Sequence, residues 1–74
     1  MTYINARPGK TLTTEEARDR IGQEFFLGWE AKGCRLLGVS QDGINAFVSV
    51  YEFKKEVRQT VEIRRLAEVE KVGT

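Results

Sequence analysis

Few residues in this chain have types and spacings that suit chemistry. Gly9-Lys10-Thr11 ends like a phosphate-binding loop, in which backbone amides wrap the phosphates, Lys reaches the terminal groups and Thr reaches magnesium. That loop also needs a glycine at position 4, where Ile4 stands, and a helix that opens on the Lys-Thr pair. Here the helix signal opens at Thr13, and Pro8-Gly9 reads as a turn. Cys34 has Lys32 and Arg35 nearby, and positive charge favours a thiolate. The chain has no histidine to activate it, so a lone cysteine opening a strand reads as a small buried apolar residue. Glu15, Glu16, Glu68 and Glu70 form no pair whose environments would drive two carboxyl groups to different proton affinities, which acid-base work requires. No catalytic residue, metal set or cofactor is assigned, and the chain does not read as an enzyme.

Recognition chemistry is better represented. Phe47, Tyr51 and Phe53 recur on one stretch, with Lys54, Lys55, Arg58, Arg64 and Arg65 following closely. Aromatic anchors flanked by arginine are typical of protein interfaces, so Phe47, Tyr51, Phe53, Arg58 and Arg64 form the expected partner-binding set. The alternative uses the same residues for single-stranded nucleic acid, with bases stacking on the rings and cations holding phosphates. Glu52, Glu56 and Glu62 interleave with those cations, and the net charge is only +1, which weakens any nonspecific hold on a polyanion. The glycine-aromatic run of an RNA-recognition motif is also missing. A protein partner, or a second copy in a homodimer, is the leading expectation.

The elements that must position these residues follow from periodicity. Leu12-Thr13-Thr14-Glu15-Glu16-Ala17 carries a capping box, Thr13 with Glu16, and a hydrophobic staple, Leu12 with Ala17. Ala17, Ile21, Phe25, Gly28 and Trp29 then recur at spacings of three and four, which predicts a helix over 12–32 with Gly33 as its C-cap. From Cys34 the period becomes two. Strands over 34–40 and 44–53 are predicted, joined by the Gln41-Asp42-Gly43 turn, with the second apolar on both faces. A third strand over 56–70 follows from Val57, Val61, Ile63, Ala67 and Val69 at odd positions, with Lys54-Lys55-Glu56 as the preceding turn. Residues 1–11 form an N-terminal arm or a short edge strand at Tyr3 to Ala6. Within this region residues 7–11, like 72–74, are candidates for disorder.

The expected fold is therefore α+β, β-α-β-β-β, with one amphipathic helix on a three- to four-stranded antiparallel sheet. A helix about 10–12 Å wide covers one face of such a sheet. With Ile44, Ala46, Val48 and Val50 beneath it, Phe47, Tyr51 and Phe53 are left for a partner; with the faces reversed, Ile44, Val48 and Val50 need the partner instead. The chain has 74 residues, enough for one small domain, 1–74. It is 41% hydrophobic and 31% charged, with a mean hydropathy of -0.40, which reads as globular and soluble. No run is apolar enough for a signal peptide or a membrane span, and one unpartnered cysteine suits a reducing compartment, so a cytoplasmic location without membrane contact is expected.

The β-α-β-β outline at this length is similar to the dodecins in architecture, without their arginine-glycine and glutamine strand motifs. The size, α+β build, near-neutral charge and lack of catalytic residues also resemble many small bacteriophage proteins that disable a host system by docking on it, some anti-CRISPR inhibitors among them. That resemblance implies a phage or mobile-element inhibitor or regulator acting by steric occlusion.

Overall fold

The computed structural model describes residues 6–28 and 32–71. Six strands, one short helix and a 3-10 turn follow in the order β1 (Ala6–Thr11), α1 (Thr14–Asp19), β2 (Glu24–Leu27), β3 (Lys32–Val39), β4 (Asn45–Glu52), β5 (Lys55–Glu62), the turn Ile63–Arg65 and β6 (Leu66–Lys71). All strands lie in one antiparallel sheet ordered β1-β6-β2-β3-β4-β5.

This overturns the expected helix on a three- to four-stranded sheet. The helix predicted over 12–32 starts as expected: the Glu16 amide donates to Thr13 Oγ1 (3.2 Å) and the Thr13 amide donates to Glu16 Oε1 (3.0 Å). It lasts six residues. Gly22 sits at φ +97, where the chain leaves the helical path, and its amide donates to the Leu36 carbonyl (2.8 Å). Phe25, Phe26 and Leu27 then alternate across a sheet, Phe25 and Leu27 in the core and Phe26 buried on the other side. Aromatic and branched residues covered on both faces suit a strand, and here tertiary burial outweighs the helical spacing. Trp29 and residues 3–5, which carried other parts of the expected helix and edge strand, lie outside the described residues. The chain order still opens strand, helix, strand, strand, but with a six-residue helix and a six-stranded sheet in place of one long helix on three or four strands.

The expected strand over 56–70 is two strands. It breaks at the 3-10 turn, where Ile63 turns into the core and its amide donates to the Ile44 carbonyl (2.9 Å). Residues 7–11, expected as a loose arm, pair in β1 with β6. The hairpin tip is also displaced: Glu52 pairs with Lys55, so the turn is Phe53-Lys54, and Lys55 and Glu56 belong to β5.

The connection from β5 to β6 dictates the overall shape. Flat, the sheet would place these strands four spacings apart, about 19 Å. The four steps from Glu62 to Leu66 reach at most about 14 Å. The sheet must therefore coil, and it encloses its own core of Phe25, Leu27, Leu36, Ala46, Val48, Val50, Val61, Ile63 and Leu66. Helix α1 adds Ala17 to this core, beside Leu12. The sheet rather than a helix supplies most of the cover.

Candidate functional site

Strand β4 sets the two faces. Ala46, Val48 and Val50 are buried in the core, while Phe47 and Tyr51 point outward, 44% and 73% exposed. The inward face matches expectation except for Ile44, which is exposed before the strand begins. Pairing with β5 runs without interruption from Asn45↔Glu62 to Glu52↔Lys55. Because directly opposed residues share a face, Phe47 lies beside Thr60, Ser49 beside Arg58 and Tyr51 beside Glu56.

Of the five expected site residues, Phe47, Tyr51 and Arg58 therefore stand on one outward surface. Phe53 lies at the tip of the same hairpin, 96% exposed, where Phe53 and Lys54 adopt φ +49 and +64. A two-residue hairpin matches strand twist with both central residues at positive φ, a role Asn-Gly fills with little strain. Arg64 is separated from this group. It sits in the 3-10 turn, where its Nε donates to Glu62 Oε1 (2.8 Å), and lines a different shallow groove with Thr14, Ile44 and Ile63.

A shallow groove on the outward surface is lined by Leu37, Phe47, Arg58, Gln59 and Thr60. Leu37 was not singled out from sequence. Its alternation with Leu36 is legible, but the register shift between Leu36 and Gly38 is not; it leaves Leu37 outside while Val39 packs on the core. Polar contacts within the surface are few. Ser49 Oγ donates to Glu56 Oε2 (2.6 Å), whereas Lys54, Lys55 and Arg58 carry no ion pair among the described residues.

Other chemistry is not assembled. Cys34 is buried, 4% exposed, and burial pushes its thiol up to about 11, against the low value a nucleophile needs. Among the described residues no three His, Cys, Asp or Glu side chains gather as metal ligands. Gly9-Lys10-Thr11 is strand, not a loop facing a helix end. No helix among the described residues is long and apolar enough to cross a membrane. In comparisons with known proteins, the chain matches no family model, no curated protein and no solved structure.

Proposed function

We propose that this protein is a non-catalytic protein-binding module that docks through the outward surface of its β4–β5 hairpin and occludes what it covers. The observation that carries this reading is the exposure of Phe47, Tyr51 and Phe53 on one hairpin, beside the Arg58 guanidinium, which has no ion pair among the described residues. Full burial of an exposed ring is worth roughly 1.5–3 kcal/mol, so an interface that covers Phe53 and Tyr51 recovers most of that for each and a smaller share for the half-covered Phe47. The sheet supplies a rigid base and Arg58 a directional polar contact.

Affinity capture with the wild-type chain and with Tyr51→Ala tests the reading. A bound protein identified with the wild type should bind the variant about thirtyfold more weakly, the effect of losing an anchor of about 2 kcal/mol. Equal binding by both chains would remove the hairpin surface from the interface.

A second reading rests on the same rings together with Lys54, Lys55 and Arg58, which carry no ion pair among the described residues: single-stranded nucleic acid stacked on the hairpin. An oligonucleotide affinity that falls steeply with salt would favour it, and no binding at low salt would end it.

A further inference from the structure

The two edges of the sheet are built differently. On β1 the edge carries Pro8, which lacks an amide donor, then Gly9, and its register slips between Pro8 and Thr11. These features protect an edge from pairing with another chain. On β5 the edge has none of them: eight residues, Lys-Glu-Val-Arg-Gln-Thr-Val-Glu, pair with β4 without a bulge and contain neither Pro nor Gly. Its residues form no hydrogen bond toward the free side among the described residues.

Antiparallel geometry identifies the free backbone groups. The Ile63 amide donates to the Ile44 carbonyl, so 44 and 63 form a hydrogen-bonded pair, and such pairs alternate along the ladder. Residues 55, 57, 59 and 61 thus turn their amides and carbonyls toward β4. Glu56, Arg58, Thr60 and Glu62 turn theirs outward.

We propose that β5 pairs antiparallel with β5 of a second copy, in the register centred on Val57, joining the two sheets into one. A two-fold axis perpendicular to the sheet keeps the outward faces on the same side and brings like-parity residues together. Three registers then place free backbone groups opposite one another near the middle of the strand. Centring on Arg58 opposes two guanidinium groups, and centring on Gln59 opposes Glu56 and Glu62 twice. Centring on Val57 opposes Arg58 with Glu56 of the second copy twice, sets Val57 against Val57 and places Lys55 against Gln59. Only this register is matched in charge, and opposed charges stabilise a strand pair while like charges oppose it. It also supplies an acidic partner for Arg58, which has none among the described residues, and covers the half-buried Val57 at the open edge of the core. The inference does not depend on the rings of Phe47 and Tyr51, although it engages Arg58, which the hairpin surface also uses.

Sedimentation and amide exchange on the intact chain test it. The wild type should move from its 8.4 kDa monomer mass to twice that mass as concentration rises toward about 1 mM. Amides of Glu56 and Arg58 should gain protection over the same range, while those of Val57 and Gln59 stay protected at every concentration. Arg58→Glu should raise the dimer dissociation constant about tenfold or more, and the double exchange Glu56→Arg with Arg58→Glu should restore it. A wild type that stays monomeric throughout would overturn the proposal, as would exchange protection at Glu56 and Arg58 that does not change with concentration. Association that Arg58→Glu leaves intact, or that a folded double variant fails to restore, would overturn the register. These outcomes are separate from those of Tyr51→Ala, which leaves the β5 edge untouched.

Discussion

Phe53 and Lys54 hold a backbone conformation that costs L residues about 1–2 kcal/mol each, at the most exposed point of the hairpin. The double change Phe53→Asn with Lys54→Gly gives the turn the pair it favours, so the urea midpoint should rise by the equivalent of about 1–2 kcal/mol. The same variant should bind a partner of the hairpin more weakly, because it loses Phe53. An unchanged midpoint would mean that the positive φ values carry no cost. Titration provides two further expectations. The thiol of Cys34 is raised to about 11 by burial, so folding keeps its full benefit below the unfolded value of about 8.5 and loses it as pH climbs toward 11. Stability should therefore fall over that interval in the wild type and fall less in Cys34→Ala, as measured by denaturant melts at fixed pH. At the acid end, the Thr13 backbone amide lowers the Glu16 carboxyl, and the Ser40 hydroxyl followed by the Ile44 amide lowers that of Asp42. Both contribute stability above their unfolded values of about 4 and lose it as pH drops. The melting temperature gap between wild type and Glu16→Gln should be present at pH 7 and close as pH falls below the ordinary carboxylate range.

At the scale of elements, the legible parts are those fixed by local chemistry. The capping box needs only Thr13 and Glu16, and the Ser40-to-Gly43 turn needs only Asp42 and a glycine that tolerates φ +77; both formed. The period of two in β4 put Phe47 and Tyr51 on one face and Ala46, Val48 and Val50 on the other, but which face is covered depended on the coiling of the sheet. The rest depended on distant partners. Phe25 and Leu27 become strand because β3 and β6 flank them, and the residues from Arg20 to Gln23 do not reveal that the helix ends at Asp19 and that Gly22 turns the chain into β2. The break at Ile63 is similarly set by the distance the chain must cross to reach β2. Gly22→Ala tests how firmly the turn after the helix is fixed. Nothing lies within 4 Å of the added methyl, so only the backbone opposes it, and a loss of about 1–2 kcal/mol is expected, a fall of several degrees in melting temperature. A melting temperature like that of the wild type would show that this turn adopts an ordinary conformation without penalty.

For the whole molecule, the decisive contact is the one that closes the coil. Strands β3, β4 and β5 follow one another through short turns, and Val48 lies at the centre of that meander. Closure instead sets Phe26 against Ala67 and Leu27 against Leu66, pairs separated by just over half of the chain, with the loop-closure entropy that such separation carries. Sheet folds dominated by distant pairings fold in milliseconds to seconds, and the local hairpins should form before the closing strand docks. Val48→Ala, which removes buried carbon at the centre of the meander, should therefore slow folding. Ile63→Val, at the turn where β6 begins, should cost about 1 kcal/mol and act mainly by hastening unfolding. Stopped-flow chevrons of the two variants separate these effects. If Ile63→Val slows folding while Val48→Ala mainly speeds unfolding, the closing turn organises first and the meander adds to it, the reverse of the order that chain separation favours.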